Sequence, residues 1–318
     1  MAENTTQGVY TNVQELMKLR YKASGYSFLP RQPVHSLLTG RHASRLRGRG
    51  MDFEEIRRYL PGDDIRKIDW KVTARTKKPH TRVYTEERER PVLLVVDQRV
   101  SMFFGSQVNM KSVTAAHSAA LAAWRIVDQG DRVGALVFND MQVKEISPHR
   151  SRKRVMQILG EIVRFNQLLN VNTQSKANPT KLNQVLDRTS RTAKHDYLIC
   201  IISDFYGMDE NTKRLIKLMG QHNDVLSALI YDPLAVKPPQ VGRFVVSNGE
   251  LQVEVDTSTG KKRTNIANIF NERLHSLKDD LTKLGIPVLP IQTEDPVEVQ
   301  VRRLLGQAIT TRGGGHVR

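Results

Sequence analysis

The sequence predicts an α/β fold with a doubly wound, mostly parallel sheet that occupies residues 91–308. Three observations predict it. Apolar runs of strand length recur along this part of the chain, and helical patterns separate them. The runs are continuous rather than alternating, which is typical of strands buried on both faces of a parallel sheet. Two of the runs end in aspartate, at Asp97 and Asp204, as expected where strands deliver polar groups to one edge of a sheet.

The predicted elements follow one another in chain order. The Val-rich run Val92–Val96 is the first core strand, and helix Met110–Gln129 follows with many small residues for close packing on a sheet. Strand Arg132–Phe138 then turns into an antiparallel return strand at Gln142–Ile146. The remaining elements are helices Ser151–Phe165 and Thr180–Ala193, strand Tyr197–Ser203, helix Glu210–Gln221, strand Val225–Tyr231, helix Asn265–Leu284, strand Ile286–Ile291 and helix Val297–Gly306.

Three further segments lie outside this predicted sheet. Residues 1–90 are predicted to be a basic N-terminal extension, which begins with an amphipathic helix at residues 12–23. A β-hairpin insertion is predicted around the turn Asn248-Gly249. Residues 309–318 contain three consecutive glycines and are predicted to be a disordered tail.

The composition indicates a folded protein with a strong basic excess. The 318 residues include 49 Lys and Arg against 33 Asp and Glu, a net charge of +16, and residues 1–90 have 19 against 11, or +8. Such a balance attracts polyanions. No apolar run reaches the roughly 18 residues of a transmembrane helix and residues 1–10 lack an apolar signal core, so we expect a cytoplasmic protein. Cys200 lies in an apolar run and is predicted to be a buried structural thiol.

Polar side chains after the core strands form a candidate binding rim. Ligands of doubly wound sheets bind beyond the carboxyl ends of the strands, at the topological switch point. Asp97, Ser101, Thr180 and Asp204 are the candidate rim residues. Together they resemble the metal-ion-dependent adhesion site of von Willebrand A domains, which combines an Asp-x-Ser-x-Ser loop with a distant Thr and a distant Asp. The resemblance implies a von Willebrand A-like domain and a site for Mg²⁺, which prefers hard oxygen ligands.

Arg99 stands where that motif has its first serine. A guanidinium cannot bind a cation, because it is always protonated and has only hydrogen-bond donors. Two residues after Asp97, it can fold onto Asp97 or Asp204 and neutralise these carboxylates in place of the metal. We therefore favour a degenerate, metal-free site over Mg²⁺ binding. The alternative is that the two aspartates merely cap helix N-termini.

A second block of residues is more specific than the altered motif. Its members are Arg58, Tyr59, Pro61, Gly62, Asp63, Asp64, Arg66, Asp69, Trp70 and Arg75. This signature block resembles that of the bacterial domain-of-unknown-function family fifty-eight, in which it leads into a von Willebrand A-like strand. The residues also predict local structure: a turn at Pro61-Gly62, a short helix that is capped by Asp63 and begins at Asp64 or Ile65, and a packing anchor at Trp70.

Two functional hypotheses follow, and the first comes from the resemblance. Members of the resembled family are commonly encoded beside a MoxR-type AAA+ ATPase and other von Willebrand A proteins. This implies a protein-interaction module that works as an adaptor with such an ATPase, in assembling or remodelling client complexes, and that binds through the rim. The alternative is a nucleic-acid or anionic-surface binding protein that uses the basic N-terminal region. It is motivated by the net charge, by the recurring arginines Arg41, Arg45, Arg47 and Arg49, and by the basic cluster Arg150, Arg152, Lys153 and Arg154.

An enzymatic function is not expected from the motifs of this sequence. The chain has no Gly-x-x-x-x-Gly-Lys-Ser/Thr phosphate loop, no Gly-x-Ser-x-Gly nucleophile elbow and no histidine pair at zinc-binding spacing. A metal-dependent hydrolase of the haloacid-dehalogenase type would use Asp97 as its nucleophile. That hypothesis is disfavoured because the second acidic position of its Asp-x-Asp motif is Arg99, a cation that opposes metal binding.

Overall fold

The computed structural model describes two compact units, and each is treated separately. The described residues are 8–23, 51–86, 90–170, 178–235, 243–247, 252–256 and 260–310. The small unit contains residues 51–86, and the main unit contains the other described residues. Helix α1 (Val13–Lys18) thus belongs to the main unit. The predicted extension at 1–90 is therefore divided between the two units, because α1 buries its apolar side chains against the main unit.

The small unit consists of an antiparallel hairpin with a short helix between its strands. Strand β1 (Met51–Arg58) pairs with β2 (His80–Glu86), and helix α2 (Trp70–Thr76) lies between them in the chain. The sequence pattern does not predict these strands, because a register shift between Phe53 and Glu55 breaks the alternation of apolar and polar residues.

Two aspartates divide the predicted single helix of the signature block into two elements. Asp64 caps a 3-10 turn at Ile65–Lys67. Asp69 then caps α2, since its side chain accepts hydrogen bonds from the amides of Lys71 and Val72. A short helical turn therefore begins at Ile65 as predicted, but its cap is Asp64 rather than Asp63, and it ends at Lys67 because the second cap starts a new helix.

Trp70 is not the packing anchor that the sequence predicts. Its side chain is 70% exposed at the first position of α2. The buried anchor at this place is its neighbour Asp69, whose carboxylate also binds the guanidinium of Arg82 at 2.8 Å. The aspartate holds the start of the helix by hydrogen bonds, and the indole is left facing outward.

A six-stranded sheet forms the centre of the main unit. Its strands are β3 (Pro91–Asp97), β4 (Arg132–Phe138), β5 (Val143–His149), β6 (Leu198–Ser203), β7 (Asp224–Tyr231) and β10 (Val288–Gln292). Their spatial order is β10-β7-β6-β3-β4-β5, and only the edge strand β5 runs antiparallel to its neighbour. The predicted mostly parallel α/β sheet is therefore confirmed. The strand order reverses between β3 and β6, so the switch point lies at their carboxyl ends.

Helices cover both faces of this sheet. They are α3 (Lys111–Asp128), α4 (Arg152–Gln167), α5 (Lys181–Thr192), α6 (Glu210–Gly220), α7 (Gly260–Lys283) and α8 (Val297–Thr310). Alternate residues of β3 enter two apolar clusters: Val92, Leu94 and Val96 join α1, α3, α4 and α8, whereas Leu93 and Val95 join α5, α6 and α7. Burial on both faces explains why the strand is a continuous apolar run.

The N-terminal helix is shorter than predicted. A 3-10 turn at Leu19–Lys22 follows α1, and the buried side chains are Leu16, Leu19 and Ala23. Met17, which an unbroken α-helix places near the apolar face, is exposed. The indole nitrogen of Trp124 in α3 donates to the carbonyl oxygen of Leu16 at 3.2 Å, which fixes α1 on the main unit.

The other predicted segments have mixed outcomes. The hairpin insertion is present as β8 (Arg243–Ser247) and β9 (Gln252–Asp256). Most of the predicted disordered tail lies outside the described residues.

Cys200 is buried, and burial raises the pKa of its thiol to about 12. None of the helices in the described ranges combines the length and the apolar character that crossing a membrane requires.

Candidate functional site

The candidate site lies at the switch point, where the adjacent parallel strands β3 and β6 end. Asp97 is the last residue of β3 and is fully buried. Its Oδ2 accepts a hydrogen bond from the Oγ of Ser203, the last residue of β6, at 2.6 Å. Asp204 follows directly, so the sheet brings both predicted aspartates to one edge.

The guanidinium of Arg99 fills the space between these aspartates, and only 1% of the residue is exposed. Its Nε lies 3.0 and 3.1 Å from the two carboxylate oxygens of Asp97, and its Nη2 lies 2.8 Å from Oδ2. Nη2 is also 3.8 Å from Oδ1 of Asp204. Nη1 donates to the carbonyl oxygens of Tyr206 at 3.1 Å and Asn178 at 3.4 Å. All three nitrogens of the guanidinium, Nε, Nη1 and Nη2, therefore donate hydrogen bonds inside the protein.

The electrostatics favour the charged forms of Arg99 and Asp204. Burial acts to lower the pKa of Arg99, but the charge of Asp97 and its hydrogen bonds outweigh burial and raise this pKa above the ordinary value. Burial acts to raise the pKa of Asp204, and the cations of Lys111 and Arg99 lower it overall. A depressed carboxyl pKa stabilises the fold above the unfolded pKa, and this contribution is lost as the pH falls through the folded value.

Two residues of the site are not among the sequence predictions. Lys111, at the start of α3, places its Nζ 2.6 Å from Oδ2 of Asp204. Asp140 is buried after β4 and accepts hydrogen bonds from the amides of Val100 and Asn178, both at 2.7 Å. Asp140 follows a core strand as Asp97 does, and this position is the signal that could have found it. Lys111 has no such signal, because its pairing depends on where α3 begins relative to β6.

The remaining predicted rim residues differ in their placement. The hydroxyl of Ser101 donates to Oδ1 of Asp204 at 3.4 Å, so Ser101 joins the cluster. Thr180 is exposed, and its hydroxyl donates to the side chain of Asn178 at 2.8 Å. Its hydroxyl is thus turned to Asn178 rather than to either aspartate. Thr180 thus contacts Asn178, whose carbonyl oxygen accepts a hydrogen bond from Arg99.

Helix capping accounts for only part of what the two aspartates do. Asp97 accepts a hydrogen bond from the amide of Arg99, and Asp204 accepts one from the amide of Tyr206. Each carboxylate therefore fixes its own loop. Each also binds a cationic side chain that does not belong to a helix cap, so the ion pairs distinguish this site from ordinary capping.

The residues present do not fit a Mg²⁺ ion. This ion needs oxygen ligands in near-octahedral geometry at about 2.0–2.1 Å. Both oxygens of Asp97 bind Arg99, and both oxygens of Asp204 already accept hydrogen bonds. Within the described ranges, the His, Cys, Asp and Glu side chains form no group of three that could hold a metal. The arrangement is a charge-neutralised cluster in which a guanidinium stands in the cation's place.

A buried chain of hydrogen bonds connects this cluster to the N-terminal segment. The Nε2 of Gln98 donates to the carbonyl of Ser112 at 2.9 Å, and its Oε1 accepts from the Nδ2 of Asn166 at 3.1 Å. Asn166 in turn accepts from the amide of Thr11 at 3.0 Å. Gln98 lies between Asp97 and Arg99 in the chain, so the backbone of residue 11 helps to position the rim. These contacts join residues 68 and 155 positions apart, and no local pattern predicts them.

Replacement of Asn166 by leucine is expected to lower the free energy of unfolding by about 1–3 kcal/mol, because it leaves buried polar groups of Thr11 and Gln98 without partners. Urea denaturation measures this loss. Tyr10→Phe is the matched control, since it removes another hydrogen bond of the same segment, to the carbonyl of Leu169, and leaves the Gln98 chain intact. Hydrogen exchange should rise at residues 98–110 in Asn166→Leu only. Equal hydrogen exchange at residues 98–110 in both variants would contradict the role of Asn166 in positioning the rim.

Comparison with known proteins adds the family context. A family model described as "Protein of unknown function DUF58" matches residues 55–275. Uncharacterized proteins of Mycobacterium bovis and Mycobacterium tuberculosis are each 29% identical over 265 residues, which cover 83% of this chain and 81% of theirs. Among solved structures, the conserved hypothetical protein BatB from Bacteroides thetaiotaomicron matches with a TM-score of 0.40 and 13% identity, over 70% of this chain and 99% of that chain.

Proposed function

The chain belongs to the DUF58 family of proteins of unknown function, as the signature block predicts, and we propose that it is a non-catalytic protein-interaction module. In this proposal it works as an adaptor with a MoxR-type AAA+ ATPase in assembling or remodelling client complexes. The choice of partner comes from the resemblance of residues 40–97 to a family commonly encoded beside such ATPases. The binding surface is the switch-point rim of a von Willebrand A-like main unit, and the encounter takes place in the cytoplasm, where ATP is available.

The observation that carries this proposal is the Arg99–Asp97 pair. A catalytic carboxylate needs a lone pair that faces substrate, metal or water. The oxygens of Asp97 instead bind Arg99 and Ser203 inside the protein. Asp204 is held in the same way by Lys111. A cluster with its charges neutralised from within fixes the loops around it, and this supports a role in displaying those loops to a partner.

The loops around the cluster supply apolar area for such a partner. Met141 follows Asp140 at the end of β4 and is 76% exposed. Val108, on the loop between β3 and α3, is also exposed. Exposed apolar side chains beside polar groups are typical of protein interaction sites. Because the cation of the cluster is a side chain, the interaction is proposed to require no metal.

Affinity purification of the tagged full-length protein from its native cells tests the proposal. A MoxR-type ATPase is expected to co-purify, in equal yield with and without EDTA. Met141→Asp is expected to reduce the yield at least tenfold. Leu218→Asp is the matched control, because Leu218 is an exposed apolar residue near the far end of α6 and should not matter. Repeated purification without any AAA+ ATPase would contradict the adaptor role, and loss of binding in EDTA would contradict the metal-free rim.

The alternative of nucleic-acid or anionic-surface binding stays a prediction from the charge. Arg41, Arg45, Arg47 and Arg49, which motivate it, lie outside the described residues. The site geometry favours the protein-interaction proposal, because the cluster at the switch point uses its cations to bind its own carboxylates.

A further inference from the structure

The small unit exposes three large apolar side chains on the connection between β1 and α2. Leu60 is 58% exposed, Ile65 is 65% exposed and Trp70 is 70% exposed. We refer to these three residues as the signature surface, since they lie within the signature block. Several large apolar side chains left exposed on one short connection are typical of interaction sites. Tryptophan contributes most, because burial of its side chain removes about 150–250 Å² from water.

The backbone beneath the signature surface is preorganised by ion pairs. The amide of Asp63 donates to the carbonyl oxygen of Leu60 at 3.0 Å, which closes a turn at Pro61-Gly62, and Gly62 has the positive φ of 106° that this turn requires. Arg57 holds the carboxylate of Asp63 through two hydrogen bonds of 2.8 and 2.9 Å. A surface fixed before binding loses little conformational entropy when a partner docks.

Exposed cations are frequent in the same stretch of the chain as the signature surface. Seven basic residues of the small unit are exposed and form no ion pair with the described residues: Arg58, Arg66, Lys67, Lys71, Arg75, Lys77 and Lys78. Two of the nearby acids are used internally, since Asp63 binds Arg57 and Asp69 binds Arg82, so the exposed cations outnumber the remaining acid, Asp64. This stretch therefore combines exposed apolar side chains with an excess of positive charge, and a complementary partner carries apolar side chains among acidic ones.

We propose that the signature surface binds an acidic segment of a partner protein that inserts apolar side chains against Leu60, Ile65 and Trp70. Single-stranded nucleic acid fits this surface less well, because bases stack on aromatic rings and two of the three residues are aliphatic. A lipid bilayer also fits less well. Asp63, which is paired with Arg57, and Asp64 lie between Leu60 and Ile65 in the chain, and insertion of the apolar side chains would bring these charges to the lipid. The signature surface belongs to the small unit and the switch-point rim to the main unit, and this proposal does not rest on the adaptor role.

Photo-crosslinking of the full-length protein in its native cells tests this inference. Trp70 is replaced by p-benzoylphenylalanine, and the crosslinked peptides are mapped by mass spectrometry. We expect crosslinks to one partner segment that has an excess of Asp and Glu over Lys and Arg and contains apolar residues. The same substitution at Tyr21, an exposed aromatic residue of the main unit, is the control and should not capture that segment. Crosslinks to this chain itself, to lipid or to nucleic acid, or no crosslinks, would overturn the proposal.

A synthetic peptide of the mapped segment then gives the affinity. The chain has two tryptophans, Trp70 and the buried Trp124, so Trp124→Phe makes Trp70 the sole fluorescent reporter. Peptide binding should shift the fluorescence emission of Trp70 to shorter wavelength, because the indole leaves water. Lys71→Glu should weaken binding at least fivefold and Ile65→Asp at least tenfold, whereas Leu218→Asp should leave it unchanged. Binding that does not respond to Lys71→Glu or Ile65→Asp would contradict the assignment. So would a large drop in the melting temperature of Trp70→Ala, since it would show that the chain itself buries the indole.

Discussion

The Arg99→Met variant is expected to lose about 3–5 kcal/mol of unfolding free energy, because it leaves a buried carboxylate without its counter-charge. Asp97 is fully buried, and the side chain of Arg99 donates hydrogen bonds to both carboxylate oxygens of Asp97. Methionine keeps much of the apolar volume of arginine but donates nothing. Urea denaturation of the wild-type protein and of the Arg99→Met variant at neutral pH measures the difference in unfolding free energy.

A double variant separates the ion pair from packing. Asp97→Leu combined with Arg99→Met removes both charges, and replacement of a whole buried ion pair by apolar residues is often close to neutral. The double variant should therefore recover most of the lost stability, apart from the hydrogen bond that Ser203 gives to Asp97. A single variant that loses under about 1 kcal/mol would mean that water reaches Asp97 and that the pair is not buried.

The Arg99→Ser variant is expected to bind Mg²⁺, which the wild-type protein is expected not to bind. The substitution restores the Asp-x-Ser-x-Ser pattern at residues 97–101 and frees the oxygens of Asp97 that Arg99 now occupies. Titration calorimetry should show binding heat for the variant alone. Ligand linkage predicts that Mg²⁺ at a hundred times its dissociation constant raises the unfolding free energy of the variant by about 2.7 kcal/mol.

Arg99→Lys is the control for this gain of metal binding. It keeps a positive charge beside Asp97, so it should show no Mg²⁺ heat, although lysine cannot reproduce the planar two-oxygen contact of the guanidinium. Tight Mg²⁺ binding by the wild-type protein would contradict the role of Arg99 as the internal cation. If Mg²⁺ raises the unfolding free energy of the Arg99→Ser variant and leaves that of the wild type unchanged, one side chain decides the metal dependence of the rim.

The sequence alone predicts the parts of this protein that depend on local or periodic patterns. Strands β3 and β6 are continuous apolar runs because both of their faces are buried, and their aspartate ends follow from where the runs stop. The contact of Arg99 with Asp97 is also local, since two residues in one loop can reach each other without help from the rest of the fold. The family follows from the signature block, whose spacing is a property of the chain itself.

Only the tertiary structure decided which other groups complete the site. Lys111, Asp140 and Asn166 reach the rim from distant parts of the chain, and their places depend on how helices and loops pack on the sheet. Tertiary structure also decided the exposure of Trp70. Its large apolar side chain and its place in the signature block suggest a buried anchor. Whether an apolar side chain is covered depends on the surface opposite it. Here Asp69 is buried and the indole is left exposed, so a residue predicted to support the fold becomes the centre of a proposed binding surface.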